Sequence, residues 1–331
     1  MNKKHYFVSC PGDSFSGGPQ LAHQLCRMLL DLGADAKMHY YQGTDVIADV
    51  DMSNTIFGKY NLDHVTSMDE LDTKDSVVIF PETNWILAKR LKHASTHMWW
   101  MSVFYFEWTT GWYDDTVNDW FKNQFLKEDH LHLVQSKYAY DYCINTMKIP
   151  SDHVYYLTDY IDELYLTSLP ESRYRKDYVF YNPAKMSRTQ EILLSDYSDF
   201  NWIPIQNMSK AEINDKFRKG KVYVDFGHHP GKDRIPREAA SCGCCIITNR
   251  EGSADNDVDV PILDQYKFDN SENRIPEIVN MIKDCIDNYD THIDDFANYR
   301  KWISEEKSRF KEEVKQFISL TNKGDIIDGL E

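Results

Sequence analysis

A chain of 331 residues that is 42% hydrophobic and 14% aromatic can bury a large core, and at about 150 residues per domain it implies two domains. Its formal charge of -16, with no basic stripe interleaved with aromatics, repels nucleic-acid phosphates and argues against a nucleic-acid binder. No apolar run approaches the roughly 20 residues of a membrane span, and the start MNKKHYFVSC has neither a long apolar segment nor a small-residue cleavage site, so the expected location is the cytoplasm. Seven cysteines form an odd set, and the CxxC spacing from Cys242 to Cys245 has no second pair to complete a zinc site. Free buried thiols are expected, not a disulfide framework.

In chain order, residues 6–9 read as a strand, followed by the loop PGDSFSGGP and an amphipathic helix over about 20–32 that Gly33 stops. A strand at 36–41 follows. Further strands are expected at 76–80, 98–106 and 132–135, separated by helical runs near 85–92, 116–126 and 137–147. A polar stretch, LTSLPESRYRKD (166–177), then reads as a linker. Beyond it the alternation resumes, with strands at 178–181, 202–205, 222–226 and 245–248 and helices at 187–194, 210–218, 234–242 and 277–288. The charged run 294–320 is helical and would pack along one domain face or bridge both. Such alternation predicts an α/β protein made of two doubly wound parallel sheets, over residues 1–165 and 166–331, with a ligand held in a cleft between them.

The most informative stretch is GKDRIPREAASCGCCIITN (231–249), which follows the apolar run KVYVDFGHH. A strand gives way there to a polar loop and a helix. The carboxyl end of a strand in an open α/β sheet is where ligands bind, and the free N-H groups of the following helix attract phosphate. A phosphorylated ligand is the first expectation. Neither half carries GxGxxG after its first strand, which disfavours a dehydrogenase.

The order of segments in the second half is more specific. YNPAK ends a strand, WIPIQNMSKAEINDKFRKGKVYVDFG gives strand, helix and strand, and REAASCGCCIITNREGSA gives helix, strand and glycine-bearing loop. This succession resembles the donor-nucleotide domain of GT-B glycosyltransferases, particularly the GT4-like group. The resemblance covers about residues 178–268, and SGGPQLAHQLCRMLLDLGADAKMHYY more loosely matches the family's glycine-rich opening.

The resemblance implies that Glu238, at the second glutamate of the family's E-x7-E motif, accepts hydrogen bonds from a donor ribose, with a solvated helix glutamate or an ion pair to Arg234 as the alternative. Lys185 matches the diphosphate-binding lysine, with a solvated loop lysine as its alternative. The first glutamate of the motif would fall at Pro230, so it is missing. His228, His229, Lys232 and Asp233 surround that gap as candidate donor contacts, and Gly231 would let the backbone approach. Arg234 offers a planar fork for phosphate, whereas Arg237 is as readily placed facing away. Ser253 and Ala254, after Gly252, correspond to the family's small-residue loop beside the diphosphate, or else form an exposed turn. Gly17 and Gly18 resemble the loop facing the donor phosphates from the first domain. No metal is expected, because Pro230 and Gly231 break any helical face that would converge the histidines with Asp233, and no cofactor beyond the nucleotide sugar is implied.

For the base that deprotonates an acceptor hydroxyl, Glu107 and Asp13 are the candidates. Glu107 follows the apolar run MWWMSVFYF and is expected at a strand's carboxyl end, while Asp13 lies in the loop after the first strand; a helix cap or turn residue is the alternative for each, and DSFSGG favours it for Asp13. The aromatic stretch 99–112 reads as core, with any exposed rings free to stack on a sugar. The resemblance as a whole implies transfer of a sugar from a nucleotide-diphosphate donor to a glycan or lipid-linked acceptor, in surface polysaccharide assembly and with room for peripheral membrane association. A sugar-nucleotide epimerase and a catalytically silent sugar-nucleotide-binding subunit are the rivals.

Overall fold

In the computed structural model, which describes residues 4–43, 45–110, 119, 123, 125 and 130–327, the strand and helix alternation builds one parallel sheet in each of two units. The first unit comprises Met1–Asp159 and Ser308–Glu331, the second Tyr160–Lys307. The expected helix at 116–126 falls almost wholly outside the described residues. Among the described residues no helix is long and apolar enough to cross a membrane.

The first unit holds β1 (His5–Pro11), β2 (Asp35–Tyr41), β3 (Ser76–Pro81), β4 (Ser95–Trp100), β5 (His132–Val134) and β6 (Val154–Tyr156), in the order β2-β1-β3-β4-β5-β6. All pairs are parallel. Helix α1 (Gly17–Asp31) joins β1 to β2 and buries one face, including Leu21, Leu25 and Leu29. It ends as expected at Gly33, whose φ of 84° suits only glycine, while the Gly33 and Ala34 N-H groups close the last turn onto Leu30 and Leu29. Short helices α2 (Ile86–Arg90), α3 (Val103–Thr110) and α4 (Lys137–Asp141) follow, the last continuing as a π turn over Tyr142–Thr146.

One expected strand is corrected. The run 98–106 is strand only to Trp100, and α3 begins at Val103. Ser102 makes the break: its hydroxyl accepts the Tyr105 N-H at 3.3 Å, and the Glu82 carboxylate accepts the Met101 N-H at 2.9 Å. An unbroken apolar run carries no period by which strand and helix could be told apart.

The second unit holds β7 (Tyr178–Tyr181), β8 (Asn201–Pro204), β9 (Val222–Asp225), β10 (Cys245–Asn249) and β11 (Lys267–Phe268), in the order β11-β10-β9-β7-β8, again all parallel. Helices α5 (Arg188–Asp196), α6 (Lys210–Lys219), α7 (Arg234–Ser241), α8 (Ile275–Asp287), α9 (Tyr289–Asp295) and α10 (Ala297–Ser304) flank it. Helix α6 starts with a full capping box between Ser209 and Glu212. Helix α7 ends at Gly243, φ 93°, with Gly243 and Cys244 N-H groups returning to Ala240 and Ala239. All seven cysteines are buried and free.

The boundary between units falls at 159/160, six residues before the expected one, because Ile161 and Tyr165 are buried in the second core. Residues 166–177, expected as a linker, lie within the second unit and are mostly exposed, with one anchored side chain. Arg175 is buried, and its guanidinium donates to the carbonyls of Phe217, Gly220 and Cys242 at the ends of α6 and α7. The final helix, α11 (Glu306–Ile327), begins in the second unit, but residues 308 onward belong to the first. There Thr321 meets the Tyr6 hydroxyl at 2.8 Å, and Glu313 accepts the Thr158 N-H and hydroxyl, each at 2.7 Å.

Candidate functional site

Both sheets reverse their direction of strand addition, the first between β1 and β3 and the second between β7 and β9. Carboxyl ends at such a reversal leave a crevice in which α/β proteins bind ligands. In the second unit three loops meet there: Pro183–Lys185 after β7, residues 226–233 after β9, and Gly252–Ala254 after β10.

Close packing explains two glycines. A Cβ on Gly227 would collide with the Lys185 carbonyl and lie 2.6 Å from the Lys185 Cβ, and one on Gly252, φ 55°, would fall onto the His229 carbonyl. Polar bonds complete the brace. The Ser253 N-H donates to the His229 carbonyl at 3.0 Å, the Ser253 hydroxyl to the Gly231 carbonyl at 2.6 Å, and the Asn249 amide to the Gly227 carbonyl at 2.7 Å. Beneath the loop, His229, Asp233, Thr248 and Ser253 help line a void of only about 10 Å³.

Through this brace runs a chain of charge. Lys185 Nζ lies 2.6 Å from Asp233 Oδ1, and Asp233 Oδ2 lies 2.9 Å from His229 Nδ1. The other imidazole nitrogen is 3.2 Å from the Thr248 hydroxyl and 3.8 Å from Asp225 Oδ1. Asp225 in turn accepts the Tyr223 hydroxyl at 2.9 Å and the Gly227 N-H at 3.1 Å. Burial alone would lower the His229 pKa, but Asp225 and Asp233 outweigh it and raise it. Burial likewise works against ionised Asp233, yet His229 and Lys185 hold its pKa below the ordinary value. Asp233 is also the residue before α7, but its side chain makes no cap bond to that helix. Its carboxylate is committed to Lys185 and His229.

Glu238 lies one turn into α7 with its side chain 9% exposed. Burial raises its pKa, opposed by Arg234, Lys210 and Arg237. Arg234 Nε stands 3.8 Å from Glu238 Oε1, so the ion pair weighed as an alternative is present at its outer limit. His228 is exposed, and Gly231 is buried.

Several expected donor contacts are already engaged. The Lys232 ammonium is buried 2.9 Å from Glu306 Oε1 and 4.5 Å from the Trp302 ring centre, so it serves packing and not an open pocket. Arg237 faces Glu306 as well. Ser253 and Ala254 are buried, not an exposed turn, and their N-H groups already bond the carbonyls of His229 and Glu251. This loop braces its neighbour and has fewer donors for phosphate than the sequence implies.

In the first unit, Gly17 and Gly18 open α1 and Asp13 is exposed in the turn after β1. Glu107 sits in α3, not at a strand end, and accepts the Tyr142 hydroxyl at 3.0 Å. The aromatic stretch divides: Trp99, Trp100 and Phe106 are buried, whereas Phe104, Tyr105 and Trp108 are exposed. Sequence reasoning missed Glu82, a fully buried carboxyl at the end of β3 whose pKa burial pushes up to about 7, against backbone N-H groups of Met101, Glu82 and Ser102 that favour its ionised form. It also missed Glu306. A glutamate in a polar helix gives no local sign of burial, and only the basic pair it meets reveals it.

No family model matches the sequence, and no curated protein matches it either. Solved structures do match along nearly the whole chain. A glycosyltransferase from Rickettsia africae aligns at 12% identity, covering 98% of this chain and 99% of its own, with a TM-score of 0.67. Anabaena HepE in complex with UDP-glucose aligns at 11% identity over 96% of this chain and 100% of its own, TM-score 0.68. Sucrose-phosphate synthase from Thermosynechococcus elongatus aligns at 12% identity over 98% and 100%, TM-score 0.65. With its two parallel α/β units and these full-length structural matches, the chain has the GT-B fold of glycosyltransferases.

Proposed function

We propose that the protein is a glycosyltransferase that moves a sugar from a nucleotide-diphosphate donor to a glycan or lipid-linked acceptor, in the cytoplasm and in the service of surface polysaccharide assembly. One observation carries the reading: the strand-order reversal of the second unit presents Lys185, Asp233 and the start of α7 together. A diphosphate entering there would exchange with the Asp233 carboxylate for the Lys185 ammonium and take the uncapped N-H groups of α7. As the bond to the sugar breaks, charge gathers on the leaving diphosphate. Lys185 and Arg234 stabilise that charge, which lowers the barrier. Glu238 accepts from the ribose hydroxyls. The full-length match to HepE with UDP-glucose supports a nucleotide sugar as donor.

The acceptor is assigned to the first unit, with Glu107 or Asp13 as the base. Glu107 is the better placed chemically, because the Tyr142 hydroxyl orients its carboxylate while Asp13 lies open to solvent. The carboxylate nearest in sequence to Pro230, where the family's first glutamate is missing, is Asp233.

A thermal-shift screen of nucleotide sugars, followed by transfer assays on the stabilising donor, tests the reading. Donor stabilisation with transfer that Glu107→Gln reduces by about a hundredfold or more, at unchanged donor affinity, is the expected result. A second reading, a catalytically silent sugar-nucleotide-binding subunit, draws on the pairing of Lys185 with Asp233 and on Pro230. Donor binding with neither transfer nor hydrolysis across a broad acceptor panel would select it.

A further inference from the structure

Glu306 lies 69 residues beyond Arg237, yet the two are joined by paired contacts of 2.9 and 2.8 Å from Arg237 Nη1 to the carboxylate. Lys232 Nζ reaches the same carboxylate at 2.9 Å, and all three side chains are at most 4% exposed. Removing three charges from water is costly, and apolar replacements of such clusters often fold as well or better, so stability alone is a weak reason for this one. The remaining donors of Arg237 show another use. Its Nε bonds the Asp233 carbonyl at 3.0 Å and its Nη2 the Lys232 carbonyl at 3.0 Å. The planar guanidinium is thus a strut between Glu306 and the two peptide units that precede α7, a geometry that lysine could not supply.

We infer that Glu306 is a positioning residue for the donor site: through Arg237 and Lys232 it fixes the backbone of Lys232 and Asp233, and so seats the Asp233 carboxylate between Lys185 and His229. The contacts to Lys185 and His229, 2.6 and 2.9 Å, leave little slack for a loop that shifts. The donor-site part of this inference rests on the proposed function. The seating of Asp233 does not.

The two parts are separated by two readouts on the intact chain. The charge-free variant Lys232→Met/Arg237→Met/Glu306→Leu keeps apolar volume in place of the cluster, and Arg237→Met/Glu306→Leu serves if the triple variant does not fold, as judged by near-UV circular dichroism. NMR titration of His229 reads the seating. His229 is faced by Asp225, Asp233, Lys185 and the adjacent His228, and losing Asp233 should bring its midpoint down toward the ordinary histidine value. The field change alone predicts otherwise, because the triple variant removes a net positive charge, which would raise the midpoint, and the double variant is neutral. An unchanged or raised midpoint in a folded variant overturns the inference. Calorimetry with UDP reads the donor site, with at least tenfold weaker binding expected. A lowered midpoint with full UDP affinity leaves Asp233 seated by Glu306 and overturns the donor reading of that loop.

Discussion

The two sheets share a strand order but present carboxylates in opposite electrical settings. In the second unit Asp233 meets Lys185 and His229, and Glu306 meets Arg237 and Lys232. In the first, Glu82 is buried against backbone N-H groups with its pKa raised to about 7, and Asp13 stands in solvent. The histidines divide the same way. His229 is raised by its carboxylates, whereas burial lowers His23 and His39 to about 4 and His97 and His132 to about 3. The second unit thus buries carboxylates with cations beside them, while burial in the first drives its titratable groups toward their neutral forms.

Acidification should separate the two units most visibly. The four neutral histidines of the first unit stabilise it above their unfolded pKa, and that stability is lost as pH falls toward their folded values. At pH 5 the loss is about 2 kcal/mol per histidine as an upper limit. Glu82 works the other way, because its folded pKa is raised, and recovers about 2 kcal/mol over the same interval. Hydrogen exchange at pH 7 and pH 5 should therefore show the first sheet opening well before the second; equal loss of protection in both would refute the division. His229 predicts the mirror image in the second unit, stabilising at low pH and ceasing to do so as pH rises through its raised pKa.

Next in size, Arg237→Met strands part of the charge of a buried cluster and should cost about 3 kcal/mol in urea unfolding. A cost within that of a surface substitution would mean that Glu306 and Lys232 suffice without it. Lys185→Ala removes a charge-assisted contact and should weaken nucleoside diphosphate binding by about 1 to 3 kcal/mol, read by calorimetry, with a smaller loss of stability because Asp233 keeps His229 as a partner. Smallest is Ser253→Ala, which leaves the Gly231 carbonyl unmatched and should lower stability by about 1 kcal/mol while nucleotide affinity stays near wild type. A large affinity loss there would return Ser253 to the donor contacts.

The alternation of elements was legible because most strands are short apolar runs bounded by turn chemistry, and Gly33 and Gly243 ended their helices where expected. The run 98–106 misled because it is apolar throughout, and its one polar residue, Ser102, carries the break. Strands β6 and β11 are only three and two residues long and leave no periodic trace. Lys185, Asp233 and Glu238 could be singled out as candidates from their places along the chain, and the first two do meet. What those side chains touch could not: Lys232 and Arg237 look like their neighbours in sequence, and the distant Glu306 turns them inward. Likewise, Arg175 in the polar stretch 166–177 reads as exposed until the helix ends it binds are in view.

Backbone amide shifts mapped during titration with a nucleoside diphosphate locate the anion site on the molecule. The largest changes should fall on residues 182–186 and 227–238, at the β7 and β9 ends of the second unit. Changes confined to residues 11–18 and 82–84 of the first unit would contradict that placement.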